Sequence, residues 1–331
     1  MSENSPFRPR FDPLPPDVER PLWSVMIPTY NCAGYLRETL ASVLAQDPGP
    51  DQMQIEVIDD CSTDHPQAIV DELAPTRVSF HQQAENRGHT HNFNTCIERS
   101  RGRLIHLLHG DDTVRDGFYR TLAQPFHDHP DLGAAFCRHV YVDEAGRETS
   151  VARLHEPTSG IFPDAAYRLA AGVGIQPPAV VVRRSTYERL GGFDRRLRVA
   201  GEDLEMWVRI AAHYPVWYEI EPLARYHRRP RSLISGSARS GAAIRDYRLT
   251  IDLVAQYLEP DRRESAYRAA RRRCAEWALV QARELAAAGD RSAALVQLRE
   301  ALLSDHSPRV ALRAAKTAGR MVVPAGEWDR R

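Results

Sequence analysis

Up to Asp112 the chain alternates short apolar runs with stretches of helical spacing, and each apolar run ends in a polar turn. Leu22-Trp23-Ser24-Val25-Met26-Ile27 suits a buried strand, which Pro28 and Asn31 are expected to break. Tyr35 to Leu44 carries Leu36, Leu40, Val43 and Leu44 at helical spacing. The pattern repeats as strand 54–58, polar turn 59–64, helix 68–73, strand 77–80, turn 86–88, helix 91–99 and strand 104–108, closed by Gly110-Asp111-Asp112. Such alternation predicts an α/β fold with a mostly parallel central sheet flanked by helices. In these sheets ligands sit at the carboxyl ends of the strands, where the polar turns fall.

The second half is less regular. Strands are expected at 134–137, 140–142 and 179–182, with a hairpin tip at 143–146 and a helix over 204–212. From Gln256 the chain is rich in Ala and Arg without strand signal. Glu276 to Leu303 reads as a helical hairpin broken at Gly289-Asp290. Residues 1–21, rich in Pro, Arg and Asp, read as a disordered or extended lead. The expected organisation is therefore a lead over 1–21, an α/β domain over 22–235 and a helical region over 236–331.

Charge narrows the partners. The chain balances 44 basic against 44 acidic residues, so nothing global points to nucleic acid. From Asp261 onward 15 basic residues face 9 acidic ones. That excess suits peripheral contact with an anionic membrane or a phosphate-bearing substrate, or a solvated helical face. The C-terminal helices could equally pair two copies of the chain. The five cysteines are scattered and form no C-x-x-C pair, which argues against a disulfide framework or zinc ribbon. With no apolar run of signal or membrane-span type, a cytoplasmic protein is expected. Lys316 is the one lysine, a bias typical of GC-rich bacterial genomes.

Acidic pairs then become the candidates for chemistry. Asp111-Asp112 closes a strand, where adjacent carboxylates repel unless a cation or hydrogen bonds compensate them. Mg²⁺ or Mn²⁺ would suit such oxygen ligands, and helix capping is the competing reading. Asp59-Asp60 ends a second strand, and Arg87 lies in a third turn on the same expected edge, suited to phosphate. Glu202-Asp203 opens a helix and offers either a general base or a cap. Gly191-Gly192 would let backbone approach a ligand closely or merely join two elements.

The ordered series IPTYN, VIDDCSTD, ENRGHTHNFN, HLLHGDD and GGFDRRLRVAGEDLEMWVR resembles the family 2 glycosyltransferases of the GT-A fold, from about Trp23 to Ser235. The resemblance implies an inverting, metal-dependent transfer from a nucleotide-sugar, commonly a UDP-sugar. Pro28, Thr29, Tyr30 and Asn31 would line the nucleotide pocket, and Asp60 would contact the base. Arg87 and Gly88 would border the nucleotide, and Gly192 the donor sugar. Asp111 and Asp112 match the DXD element that holds Mn²⁺ or Mg²⁺, and Asp203, beside Glu202, matches the catalytic base. Two departures stand out: His109 replaces an acid often found before the pair, and the loop 226–232 carries Arg229 where the family often has His. His227 would take that role after a small shift, touching metal or phosphate. His109 reads as a metal ligand or a packed side chain. The implied acceptor is a glycan, a lipid-linked glycan or a small molecule. A nucleotidyltransferase, or a glycan-binding scaffold that has lost its chemistry, are the alternatives. The dinucleotide and P-loop fingerprints G-x-G-x-x-G and G-x-x-x-x-G-K-[ST] are absent from the first strand's turn.

Overall fold

The parallel strands expected from the alternation are all present and lie side by side. The computed structural model describes residues 5–15, 18–229 and 236–322. Strands β1 (Trp23–Thr29), β2 (Met53–Asp59), β3 (Ser79–Gln82) and β4 (Leu104–Leu107) pair in parallel in the order β3-β2-β1-β4. Helices α1 (Ala33–Leu44), α2 (Pro66–Leu73) and α3 (His89–Arg99) connect them. β1 and β2 are buried along their whole length, as a sheet covered on both faces requires. Their few polar residues satisfy one another: Ser24 donates to Gln54 over 2.6 Å, Gln54 to Glu56 over 3.0 Å, and Arg99 to Glu56 over 2.7 Å.

Pro28 does not break β1 as expected; it pairs with Ile58, and the strand runs on to Thr29. A strand residue's N–H and C=O face the same neighbour, and the Pro28 carbonyl accepts from Gly110 over 3.1 Å. The donor that proline lacks therefore falls where β4 has already ended, a tolerated position.

Beyond β4 the sheet becomes mixed. It adds β5 (Thr113–Val114), β6 (Ala134–Val142), β7 (Glu148–Val151), β8 (Gly160–Ile161), β9 (Val180–Arg183) and β10 (Val216–His227). The order continues β4-β9-β6-β10-β5, with β9 antiparallel to both neighbours and β6 parallel to β10. The two strands expected at 134–137 and 140–142 are one. Arg138 stays in it by donating to the carbonyls of Ala152 and Ile220. Helices α4 (Phe118–Asp128), α5 (Ala165–Ala170), α6 (Arg184–Leu190) and α7 (Glu202–Ala211) complete this part of the chain. The carbonyls of Phe7 and Pro9 accept from the N–H groups of Arg195 and Gly192, both over 2.9 Å, and Phe11 is buried.

Packing divides the chain into two compact units. Residues 167–173, 199–205 and the described residues from 236 onward form the second. It holds α8 (Ala242–Val254), α9 (Pro260–Ala287), α10 (Arg291–Ser304) and α11 (Pro308–Val322). The expected hairpin is α9 and α10, joined where Gly289 adopts a φ of 81° and Asp290 caps Ala293 over 3.2 Å. Ala275, Ala278, Leu279, Ala294, Leu298 and Ala301 form its buried seam. No described helix is long and apolar enough to cross a membrane.

Candidate active site

The turns that follow β1 and β2 are stitched together by side chains. Thr29 donates its hydroxyl to Asp59 over 3.2 Å. Asn31, in the left-handed region at a φ of 49°, donates its N–H to the Ser62 hydroxyl over 2.9 Å and accepts from the Thr63 N–H over 2.9 Å. Asp64 accepts from the Ala33 N–H over 2.8 Å, so it covers the start of α1 from across the sheet edge. Asp59 is fully buried and also accepts from Ser62 and Gln82, which makes it a structural brace. Tyr30 exposes about half of its surface, 51%.

Asp60 is the next residue and is buried to 2% exposure. Its two carboxylate oxygens accept from the N–H groups of Arg87 and Gly88, over 3.0 and 2.9 Å. Its own N–H donates to the Thr29 carbonyl over 2.9 Å. Asp60 thereby ties the 86–88 turn to the ends of β1 and β2. Gly88 needs its φ of 87°, and the Arg87 guanidinium projects outward 3.9 Å from Glu85.

The third turn follows β4. Gly110 lies so close to β1 that an added Cβ would meet Thr29 Cγ2 at 2.5 Å and Cys32 Sγ at 2.9 Å. Burial pushes the Cys32 thiol up to about 11, so it stays protonated. After this glycine come the two acids. Ligand atoms of His109, Asp111 and Asp112 all lie within 4.8 Å of one another. Asp112 is 1% exposed; its Oδ1 accepts from the His227 N–H over 2.9 Å, and its Oδ2 has no hydrogen-bond partner. Burial pushes this carboxyl up to about 8, offset in part by the His227 N–H. A buried acceptor without a donor is costly unless something fills its place. Two carboxylates and an imidazole within one small radius form a donor set that Mn²⁺ or Mg²⁺ accepts. His109 also packs, stacked on Phe93 with ring centroids 4.9 Å apart, as one of its two expected readings has it.

β10 delivers two more groups. His227 Nδ1 lies 3.9 Å from Asp112 Oδ1, and burial lowers the affinity of this imidazole for a proton. Arg229 lies 2.9 Å from Asp111 Oδ2, with its guanidinium 3.8 Å from the centre of the Tyr35 ring. Tyr35 carried no sequence signal beyond its place in the first turn of α1.

Gly192, Glu202 and Asp203 complete the candidates. A Cβ on Gly192 would meet Asn94 Oδ1 at 2.2 Å and Pro9 Cγ at 2.8 Å, so packing alone requires glycine there. Glu202 and Asp203 open α7 and group with the second compact unit. Asp203 accepts from the Leu204 N–H over 2.7 Å, and neither acid belongs to the His109–Asp111–Asp112 cluster.

Residues 24–191 match the family described as glycosyl transferase family 2. The chain is similar to the succinoglycan biosynthesis protein ExoO of Rhizobium meliloti, 30% identical over 57% of this chain and 56% of that protein. In structure it resembles TarS of Staphylococcus aureus in complex with UDP-GlcNAc, with a TM-score of 0.62 at 17% identity over 90% of this chain and 88% of that one. It also resembles the mannosyltransferase PcManGT of Pyrobaculum calidifontis in complex with GDP-Man and Mn²⁺, with a TM-score of 0.53 at 20% identity over 95% and 84% of the two chains. The fold is thus of the GT-A type. The chain spans about half the length of the curated relatives it matches.

Proposed function

The chain belongs to glycosyl transferase family 2, and from that premise we propose that it transfers a sugar from a UDP-sugar to an acceptor hydroxyl, with inversion at the anomeric carbon. The observation that carries this reading is the buried, unpartnered Oδ2 of Asp112 beside Asp111 and His109. It lies at the carboxyl end of the same parallel sheet that presents Asp60 and Thr29.

Thr29 and Asp60 hold the nucleoside, and the N–H groups of Arg87 and Gly88 keep the Asp60 carboxylate oriented. Asp111 and Asp112, with His109 or His227, would hold the divalent cation. When bound, Mn²⁺ or Mg²⁺ supplies Lewis-acid neutralisation of the charge on the departing diphosphate. Asp203 takes the proton from the acceptor hydroxyl as its oxygen bonds to the anomeric carbon and the bond to the diphosphate breaks. The Leu204 N–H fixes one Asp203 oxygen for that task. A UDP donor is supported by the likeness to TarS, whose complex contains UDP-GlcNAc. A glycan acceptor is supported by the likeness to ExoO, a succinoglycan biosynthesis protein.

Asp203→Asn tests the assignment. Transfer should fall by about a hundred- to ten-thousand-fold, while UDP-sugar affinity stays within about twofold, since the lost group acts on the acceptor alone. Near-normal turnover would remove Asp203 from the role of base.

A further inference from the structure

We propose that Arg229 is a latch on the cation site, its guanidinium stacked on Tyr35 and holding Asp111 until a divalent cation displaces it. The inference rests on the reading of His109, Asp111 and Asp112 as cation ligands, and adds a competitor built into the chain.

The two buried arginines among the described residues, Arg184 and Arg209, are locked in place by carbonyls. Arg209 donates to the carbonyls of Leu190, Gly191 and Gly192, and Arg184 to those of Ile97 and Ser100 as well as to Glu188. Arg229 is held differently. Its Nε and Nη2 are both buried without a hydrogen-bond partner; its contacts are an ion pair of Nη2 with the Asp111 carboxylate at 2.9 Å, outside hydrogen-bonding geometry, and the face of Tyr35 at 3.8 Å. A guanidinium presents a fork of five N–H donors and stacks well on an aromatic ring. Here most of the fork is unused, so the position is one that it can leave.

Asp111 is also one of the clustered ligand groups. A guanidinium held against Asp111 Oδ2 opposes a cation that approaches the same carboxylate. One positive charge on Arg229 faces Asp111, while Asp112 Oδ2 keeps no partner. A divalent ion would compensate both acids, so it has reason to win, but only against the closed latch. Its apparent affinity is then lowered in proportion to the fraction of molecules with Arg229 engaged.

The test is Mn²⁺ binding to the full chain without nucleotide, read by the electron paramagnetic resonance of free Mn²⁺, with thermal melting to confirm folding. Arg229→Gln removes the competing charge and should bind Mn²⁺ roughly tenfold more tightly than the parent chain, as expected when a closed fraction near nine-tenths is released. Tyr35→Leu keeps the charge but removes the stacking surface, and should tighten binding in the same direction. A gain in Arg229→Gln with no change in Tyr35→Leu would reduce Arg229 to a diffuse electrostatic effect and overturn the latch. Mn²⁺ binding by the parent with no gain in either variant overturns the latch alone. Failure of all three proteins to bind Mn²⁺ overturns the latch together with the metal reading beneath it.

Discussion

The N–H of His227 donates to Asp112 Oδ1 over 2.9 Å, joining the end of β10 to the turn after β4 across 115 positions of sequence. One oxygen of the carboxylate is thereby fixed in direction and the other is left facing His109, 4.0 Å away. An acid so placed is oriented before any ligand arrives, which is what electrostatic preorganisation demands.

Asp112→Asn should abolish Mn²⁺ binding and transfer together. The amide oxygen can still accept from His227, so the fold should survive with a melting temperature near that of the parent. Calorimetric titration with Mn²⁺ alongside a thermal melt separates the two effects. A variant that still binds Mn²⁺ would move the ligand role to Asp111 and His109.

Asp60→Asn places an amide NH₂ where a backbone N–H now donates. One of the two tethers to the 86–88 turn is lost, a cost of about 1–3 kcal/mol. Amide exchange at Arg87 and Gly88 should quicken, and uridine-nucleotide affinity should drop about tenfold, as the loss of one oriented hydrogen bond implies. Unaltered protection of both amides would show that the turn does not depend on Asp60.

Gly110→Ala drives a Cβ to within 2.5 Å of Thr29 Cγ2 and 2.9 Å of Cys32 Sγ. Neither neighbour is a flexible chain end. Overpacking of this kind costs about 1–3 kcal/mol, and the strain falls on the turn that carries Asp111 and Asp112. Lower stability in denaturant with weaker Mn²⁺ binding is expected; a melt equal to the parent's would mean that β1 yields without cost.

His106 governs an acid limb. It is fully buried in β4, stacked on Phe118 at 4.6 Å, with Nε2 3.0 Å from the Pro178 carbonyl and Nδ1 3.3 Å from the Tyr119 hydroxyl. A carbonyl only accepts, so Nε2 carries the proton and Nδ1 accepts from Tyr119. Burial pushes this imidazole down to about 3, and that of His139 to about 4. The unfolded chain therefore takes up these protons first, and stability present above the ordinary histidine value of about 6.5 is lost as pH falls toward 3. His106→Gln should make the fall in stability between pH 6 and 4 shallower in urea titrations, by about one proton's worth of slope. An unchanged slope would assign the acid limb to other groups.

The parallel half of the fold was legible because β1, β2 and β4 are buried on both faces and so read as apolar runs. The mixed half was harder. β6 reads as two pieces because Arg138 and His139 interrupt it, and only the carbonyls of Ala152 and Ile220 explain why arginine stays inside a strand. Asp60, Asp111 and Asp112 were visible as acids at strand ends. The family resemblance singled out Asp60 for the nucleotide base, but the pair itself does not say that Asp59 is a brace; the donors around them separate a saturated carboxylate from one tethering a turn. Tyr35 and Gly110 were missed for a common reason. Their roles depend on what approaches from another strand, and nothing local announces a neighbour far along the chain.

The carbonyls of Phe7 and Pro9 cover the amides of Arg195 and Gly192, and Phe11 is buried beside that glycine. The opening stretch is therefore no spare wrapping to be trimmed for convenience. Shaving it off, or threading a purification handle through it, would uncover two amides and a seat for an aromatic ring at the loop just ahead of α7.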